Sequence, residues 1–186
     1  MNSIDFVQAN ERKELDYLYR AGQFERLARF PELNLYPQYA EKLCSGSVDA
    51  RAAFVTYARI ERFPAQCLRS LACDKEPFIR ATLASSADIS VFPEVVDVLS
   101  RDQEEYVRVY LAGNPAIAHY PEVVRIFAIS HDDSFRARLA RNPAVADFDP
   151  EVVQILAADQ NIYVRGAIMS NPSIPEQLKR GLTRFR

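Results

Sequence analysis

The chain has 186 residues, of which 48% are hydrophobic and 26% are charged, and its formal net charge is −2. This composition is typical of a globular protein with a hydrophobic core and argues against a disordered chain. The charges are spread evenly over both halves, so the sequence shows neither a basic arm for nucleic acid nor an acidic tail.

The first residues show no targeting signal. The start, MNSIDFVQANERKEL, has an early Asp5 and lacks the apolar segment of a secretory signal, and no apolar run is long enough to cross a bilayer. We therefore expect a cytoplasmic protein that does not insert into a membrane. Residues 1–22 are predicted to form a helical cap with Leu15, Leu18 and Tyr19 on its apolar side, and AGQFERLARFPEL, which follows, is predicted to be a degenerate first repeat.

From residue 37 onward, a first type of segment begins with proline. It reads PQYAEKLCS, PAQCLRSLACD, PEVVDVLSRD, PEVVRIFAIS, PEVVQILAAD and PEQLKRGL, starting at residues 37, 64, 93, 121, 150 and 175. Proline suits the first position of a helix, where a missing N–H costs nothing and the fixed φ is already helical. Apolar residues then recur at helical spacing, so each segment predicts a short amphipathic helix.

A second type of segment, centred on an arginine, alternates with the first. It reads DARAAFVTYARI, FIRATLASSADI, YVRVYLAGNPAI, SFRARLARNPAV and YVRGAIMSNPSI, and its arginines are 28 or 29 residues apart, at positions 51, 80, 108, 136 and 165. In three copies the helix is predicted to end at Asn-Pro. Proline excludes the preceding residue from the α region, and asparagine tolerates a left-handed C-terminal conformation.

Helices this short are unstable alone in water, so they require neighbours that bury a shared core. We predict an all-α fold: a right-handed α-solenoid of five to six short helical-pair repeats with a period of 28–29 residues. Residues 1–36 would be the cap and degenerate first repeat, and residues 37–186 the repeat array, in a single domain. Core positions by pattern include Cys44 and Cys67, and the aromatic residues before four of the prolines are predicted to fill gaps between repeats: Tyr36, Phe63, Phe92 and Tyr120.

The pattern D-x(5)-V-R-x-x-L-A-x-N-P followed by P-E-V-V-x-x-L resembles the leucine-rich-repeat variant family, a relative of HEAT-type repeats. The resemblance covers roughly residues 37–182 and is strongest in residues 93–178. Some members of that family carry an N-terminal cysteine cluster for a 4Fe–4S centre, but residues 1–43 of this chain contain no cysteine. Because the three cysteines, Cys44, Cys67 and Cys73, lack C-x-x-C spacing and only two histidines are present, we expect reduced thiols, no metal and no cofactor.

The resemblance also implies a structural ladder. HEAT-type repeats use an aspartate in the turn and an arginine six residues later as hydrogen-bonded pairs that run from repeat to repeat. The pairs with this spacing here are Asp74/Arg80, Asp102/Arg108 and Asp159/Arg165. The Arg136 repeat has Ser130 at the aspartate position, which leaves its contact unassigned. The alternative is a row of arginines that binds phosphates.

Catalytic motifs are missing from the sequence. It has no phosphate-binding loop, nucleophile elbow or H-E-x-x-H motif, and five glycines in all. The carboxylate pairs Glu104/Glu105 and Asp132/Asp133 precede arginine-centred helices, where acids favour the helix N-terminus. His131 beside Asp132 lacks a nucleophile motif, so we predict that the protein is not an enzyme.

Residues that vary between repeats are candidates for binding. Two and five positions after each marker arginine, which is one helical face, the sequence reads Ala53/Thr56, Thr82/Ser85, Tyr110/Gly113, Arg138/Arg141 and Ala167/Ser170. We hypothesise that Tyr110, Arg138 and Arg141 form the centre of a partner surface, since exposed tyrosine and arginine are common interface hot spots. The other interpretation is a merely solvent-exposed face.

The predicted function is therefore a non-catalytic scaffold or adaptor that binds an unidentified protein or peptide. The alternative is a nucleic-acid-binding HEAT-like protein that uses a local patch, Arg136, Arg138 and Arg141, with a basic tail behind it: Lys179, Arg180, Arg184 and Arg186. The negative net charge argues against this alternative, because nucleic-acid affinity comes largely from phosphate neutralisation. Some HEAT-like solenoids are DNA glycosylases whose sites rely on tryptophans beside a catalytic aspartate, but this sequence has no tryptophan.

Overall fold

The computed structural model describes the backbone of residues 3–182 and the side chains of residues 8–86 and 89–182. Within residues 3–182 the chain forms thirteen α-helices and five 3₁₀-helices, and this range contains no strand. The predicted all-α class is confirmed. None of the helices in this range is long and apolar enough to span a membrane. Residues 1 and 2 of the predicted cap, and the predicted tail residues Arg184 and Arg186, lie outside the described range.

The helices follow the two alternating types of segment. They are α1 Ser3–Arg20, α2 Phe24–Ala28, α3 Pro37–Cys44, α4 Val48–Tyr57, α5 Ala65–Ala72, α6 Pro77–Ala84, α7 Pro93–Ser100, α8 Glu105–Ala112, α9 Pro121–Ala128, α10 Asp133–Ala140, α11 Pro150–Ala157, α12 Ile162–Ser170 and α13 Glu176–Leu182. The 3₁₀-helices occupy connecting segments: Leu33–Leu35, Ile60–Arg62, Ala87–Val91, Pro115–His119 and Val145–Asp147.

The prolines start helices as predicted. Pro37, Pro93, Pro121 and Pro150 are the first residues of α3, α7, α9 and α11. At α5 the proline stands one position earlier, because Pro64 has an extended ψ of 136° and acts as the N-cap. The fixed φ of proline therefore sets where these helices begin.

The chain divides into two compact units, Met1–Ile79 and Arg80–Arg186. We call them the N-terminal unit and the C-terminal unit. The boundary falls within the helix Pro77–Ala84. It does not coincide with the predicted boundary after residue 36, which stays a prediction.

In the N-terminal unit, α1 packs on α2, and α3 packs on α4 and α5. Leu15 and Leu18 of α1 are buried. The Tyr39 hydroxyl donates to the Asp16 carboxylate at 2.8 Å, and burial together with this hydrogen bond raises the pKa of Tyr39 to about 12. Cys44 and Cys67 are buried free thiols whose sulfur atoms lie 2.8 Å apart, which confirms that both are core positions.

In the C-terminal unit, the helices of each type form a row. Helix α8 packs on α10 and α10 packs on α12, while α9 packs on α11. Val107, Leu111, Val124 and Phe127 are buried between them, whereas Val123 is only partly buried. The core of this unit is therefore shared by neighbouring repeats, since no single pair of helices encloses it.

Three buried asparagines, Asn114, Asn142 and Asn171, connect successive Asn-Pro segments of the C-terminal unit. The Nδ2 atom of each donates to two main-chain carbonyl oxygens of the preceding segment. These bonds are 2.7–3.0 Å long and run from Asn114 to Ala84 and Ser86, from Asn142 to Ala112 and Asn114, and from Asn171 to Ala140 and Asn142. The Oδ1 atom of each accepts the N–H two residues later. One amide thus satisfies three buried main-chain groups.

The predicted left-handed conformation of these asparagines is wrong. Asn114 has φ −81° and Asn171 has φ −67°, and among the described residues only a glycine, Gly22, has a positive φ. The helices still end at Asn-Pro because proline disfavours the α region for the residue before it. Asparagine serves instead through its amide, which offers two N–H donors and one acceptor in a single plane.

We expect Asn142→Ala to lower the free energy of unfolding by about 3 kcal/mol, because two buried carbonyls and a partly buried N–H lose their partner. Urea denaturation followed by circular dichroism measures this loss. Asn161→Ala is the control. It removes a partly exposed cap whose side chain accepts the N–H of Tyr163, and it should cost about 1 kcal/mol. Equal losses in the two variants would show that the Asn142 amide has no special structural role.

Candidate partner-binding surface

The predicted ladder residues contact one another in a different pairing from the one expected. Arg80 donates from Nε and Nη2 to the Asp102 carboxylate at 2.6 and 2.9 Å. Arg108, six residues after Asp102, donates instead to the main-chain carbonyl of Asp102. The carboxylate therefore bonds the arginine of the preceding repeat, and the carbonyl of the same aspartate bonds the arginine of its own repeat.

The same arrangement recurs around Asp159. Its carboxylate accepts from Nε and Nη2 of Arg136 at 2.6 and 3.1 Å, and its carbonyl accepts from Arg165 at 2.6 Å. In the N-terminal unit, Arg51 and Asp74 form an equivalent pair at 2.5 and 3.1 Å. Arg136 thus has a ladder contact although its own turn carries Ser130, because the carboxylate comes from the following repeat.

Arg108 differs from Arg51, Arg80 and Arg136 because no carboxylate among the described residues of the following repeat binds it. The repeat after Arg108 offers a serine in place of the aspartate, and the Arg108 guanidinium lies 5.2 Å from the centre of the Phe135 ring. A ring face attracts a cation, so the phenylalanine takes over part of the contact that a carboxylate makes elsewhere.

The ladder pairs are largely buried, with 13% of the Arg80 side chain and 5% of the Asp102 side chain exposed. Burial alone would raise the pKa of Asp102, but hydrogen bonds from Arg80 and from the N–H of Glu104 outweigh it and lower that pKa. The pKa of Arg80 is raised in turn, chiefly by its hydrogen bond to Asp102. An arginine held in this way has little free charge for a phosphate, which argues against the phosphate-binding interpretation of Arg51, Arg80 and Arg136.

The residues predicted to form a partner surface lie on neighbouring helices. Tyr110 of α8 is 48% exposed, and Arg138 and Arg141 are also exposed, near the end of α10. The Arg138 guanidinium lies against Gly113, so closely that a Cβ atom on that glycine would be 2.2 Å from Nε. Gly113 follows Tyr110 by three residues, so Arg138 reaches α8 about one helical turn from the tyrosine.

Neither Arg138 nor Arg141 has a carboxylate or carbonyl partner for its side chain within the described part of the chain. Arg136, on the same helix, does have such a partner, because its side chain is paired with the Asp159 carboxylate. Arg138 and Arg141 are therefore free to bind an external group, and Arg138 lies about one helical turn from the exposed ring of Tyr110.

Sequence reasoning missed two further aromatic residues on this face. Tyr106 of α8 is 41% exposed and Tyr163 of α12 is 73% exposed, and each lies two positions before a marker arginine. On α8, this position lies one helical turn before Tyr110. Comparing the residues two positions before each marker arginine would have identified both tyrosines. We use the name tyrosine–arginine surface for Tyr106, Tyr110, Arg138 and Arg141.

The N-terminal ends of α8 and α10 carry the opposite charge. Asp132 caps α10 by accepting the N–H of Ser134 at 2.7 Å. Burial opposes ionisation of Asp132, but its hydrogen bonds from Ser134 keep its pKa below the ordinary value. Glu104 stands at the N-cap position of α8 without a side-chain cap bond. The outer face of these two helices is thus acidic at one end and basic at the other.

No group of three His, Cys, Asp or Glu side chains among the described residues is arranged to hold a metal ion. Comparison of the chain with models of protein families, with curated protein sequences and with solved structures finds no match. The resemblance to leucine-rich-repeat variants therefore rests on the sequence pattern alone, and it stays a prediction.

We expect Asp102→Asn to lower the free energy of unfolding by about 3 kcal/mol at pH 7, because the substitution removes the carboxylate that neutralises the largely buried Arg80 charge. The folded-state pKa of Asp102 lies below its ordinary value of 3.8. The pair therefore contributes fully above about pH 4, and its contribution is lost as the pH falls through the folded-state pKa. Denaturation at several pH values should show the gap between wild type and variant closing below pH 4.

The control for this prediction is Asp97→Asn, which breaks the exposed i,i+4 pair with Arg101. It should change the free energy of unfolding by no more than about 0.5 kcal/mol at any pH. A gap between wild type and Asp102→Asn that does not depend on pH would contradict the assignment of the carboxylate.

Gly113→Ala should displace the Arg138 guanidinium without destabilising the fold. Gly113 has φ −84° and ψ −7°, which alanine adopts readily, so the free energy of unfolding should stay constant or rise by about 0.5 kcal/mol. The NMR signal of the Arg138 Nε–H should shift, while that of Arg80 stays in place. A loss of stability above about 1 kcal/mol would show that the backbone cannot accommodate a Cβ atom at this position.

Proposed function

We propose that this chain is a non-catalytic protein-interaction scaffold whose tyrosine–arginine surface binds an acidic segment of a partner protein. The observation that carries the proposal is the pair Arg138 and Arg141, whose exposed charges have no partner among the described residues, with Arg138 lying against Gly113, three residues after Tyr110. The equivalent positions of α4, α6 and α12 carry only alanine, serine or threonine. A feature confined to one part of a repeated sequence points to recognition, because packing contacts recur in every repeat.

The repeat architecture in this proposal is a right-handed α-solenoid of the kind that the resemblance to leucine-rich-repeat variants and HEAT-type repeats implies. Recurrent contacts in the C-terminal unit support it. Asn114, Asn142 and Asn171 form the same bonds to the segment before them, and helices of the same type lie side by side. Solenoids of this kind use surfaces made of several repeats to bind other proteins.

The chemistry of the surface favours a protein partner with carboxylates. A guanidinium presents parallel N–H groups that match both oxygens of a carboxylate, and a tyrosine ring adds rigid apolar area at a low entropic cost. We infer that acidic residues of the partner meet Arg138 and Arg141, and that an apolar residue covers Tyr110. The acidic ends of α8 and α10 would then exclude partners with a longer run of negative charge.

Nucleic acid is the less favoured partner. Of the proposed patch, Arg136 is held by Asp159, and in the tail Lys179 is paired with Glu176 at 3.0 Å. Phosphate neutralisation needs several free cations, whereas the patch offers two of them, Arg138 and Arg141. The net charge of −2 adds a repulsive background. A protein partner in the cytoplasm, as the sequence predicts, is the function that this surface supports best.

Reversing both charges tests the proposal. Arg138→Glu/Arg141→Glu should reduce capture of the partner from native lysate at least tenfold, since it removes both hydrogen-bonding forks and introduces repulsion. The captured species should be polypeptide, should elute with salt and should survive nuclease treatment.

The matched control is Arg26→Glu/Arg101→Glu, which reverses two exposed arginines, one on α2 and one directly after α7. Circular dichroism verifies that both double variants keep their helix content. Unchanged capture by Arg138→Glu/Arg141→Glu would refute the role of the surface, and loss of the captured species on nuclease treatment would favour the nucleic-acid alternative.

A further inference from the structure

A second surface of the C-terminal unit has the properties of a binding cleft. It has a volume of about 880 Å³ and is lined by α11, α12 and Leu182 of α13. Exposed apolar side chains form much of its lining, notably Ile155 and Ile162, with Met169 beside them. Arg165 also lines the cleft, so a cation stands next to apolar surface.

Arg165 has two side-chain nitrogens without a partner in the described part of the chain. Its Nη1 donates to the carbonyl oxygens of Asp159 and Gln160 at 2.6 and 2.8 Å, and Nε and Nη2 make no hydrogen bond there. In Arg136, the equivalent residue of the preceding repeat, Nη1 donates to the carbonyl of Ser130, while Nε and Nη2 hold the Asp159 carboxylate. The unused atoms of Arg165 are therefore those that bind a carboxylate elsewhere in this chain.

The three Arg–Asp pairs within this chain show the local structure in which such a carboxylate is found. In each pair the aspartate lies in the turn before a helix, and its Oδ1 also accepts the N–H two residues later. Beyond Asp159, this helix is α12, which packs on α10, the helix that carries Arg136. Where an arginine at this position binds a carboxylate in this chain, the carboxylate is therefore that of an aspartate in the turn directly before a short helix.

We infer that the cleft binds a partner's helical segment led by an aspartate, whose carboxylate takes the free N–H groups of Arg165. The apolar side of that helix covers Ile155, Ile162 and Met169. Glu151 and Asp159 also line the cleft, and they disfavour a phosphate or another polyanion. A single carboxylate next to apolar surface satisfies both the cation and the apolar lining.

A second copy of this chain does not fit the cleft equally well. Of its aspartates before short helices, Asp74, Asp102, Asp149 and Asp159 are already bonded to arginines of the same chain. Asp132 has no arginine partner among the described residues, but its carboxylate already caps α10 through the N–H of Ser134. Arg165 belongs to a different set of side chains from the tyrosine–arginine surface, so this inference does not depend on the proposed function.

The test uses ¹⁵N-labelled full-length protein and a synthetic peptide, DQEEYVRVYLAG, which is the sequence of residues 102–113. This segment contains the aspartate that Arg80 holds within the chain. On titration to millimolar peptide, the Arg165 Nε–H signal and the amide signals of Ile155 and Ile162 should shift together. The peptide with asparagine in place of its aspartate should bind at least about tenfold more weakly, because the amide cannot accept both N–H groups.

The protein variant Arg165→Lys keeps the charge but loses the fork, so it should also bind the peptide about tenfold more weakly. The control Arg101→Lys, at an exposed position directly after α7, should bind like wild type. The amide spectrum shows whether each variant is folded.

Three results would overturn the inference: no shift in the cleft at millimolar peptide, equal binding of the aspartate and asparagine peptides, or shifts centred on Tyr110 and Arg138. The last result would assign the peptide to the tyrosine–arginine surface and would leave the proposed function intact. Shifts in the cleft that depend on protein concentration alone would show that a second copy occupies it, which also contradicts the inference.

Discussion

Most helices of the C-terminal unit are only eight or nine residues long, so main-chain groups at their ends must find partners outside the helix. Buried asparagine side chains meet this need. Asn142 is 0% exposed, donates to two carbonyls of the preceding Asn-Pro segment and accepts an N–H from its own segment. The amide therefore satisfies the helix ends and also fixes the position of one segment against the next.

The arginine ladder applies the same principle at the turns between paired helices. Asp102 binds the guanidinium of the preceding repeat and the N–H of Glu104 with its carboxylate, and it binds Arg108 with its carbonyl. Within the described side chains, no buried nitrogen or oxygen atom lacks a hydrogen-bond partner. Because these polar groups are satisfied within the protein, they are unavailable to a ligand, and the proposed recognition uses side chains such as Arg138 and Arg141, which have no polar partner among the described residues.

Local rules were sufficient to predict the helices from the sequence. Proline fixes φ, and apolar spacing of three and four residues defines a buried side, so the starts of α3, α7, α9 and α11 and the all-α class followed directly. The pairing of the ladder depends instead on which repeat lies next to which. Arg80 and Asp102 are 22 residues apart, and a spacing of six within one turn does not reveal that contact. The left-handed conformation of asparagine was wrongly predicted because the prediction considered only the local backbone preference of this residue. The hydrogen bonds of its amide join residues about 30 positions apart, and local preference does not reveal them.

The surface residues show the same limit. Comparing repeats found Tyr110, Arg138 and Arg141, because they differ from their equivalents, but their mutual position depends on the contact between Arg138 and Gly113. Tyr106 and Tyr163 escaped detection because aromatic residues at that position recur, as in Phe78, and recurrence resembles packing. All three side chains are exposed, Phe78 by 45%, Tyr106 by 41% and Tyr163 by 73%, and exposure is a property of the folded chain.

Photo-cross-linking is the most direct test of whether the tyrosine–arginine surface binds a protein. Benzoylphenylalanine would replace Tyr110 in one sample and Tyr17, an exposed tyrosine on α1, in the other. After irradiation in native lysate, we predict a discrete polypeptide adduct that forms only from position 110 and resists nuclease. Equal adducts from both positions, or an adduct that nuclease removes, would contradict this function for the surface.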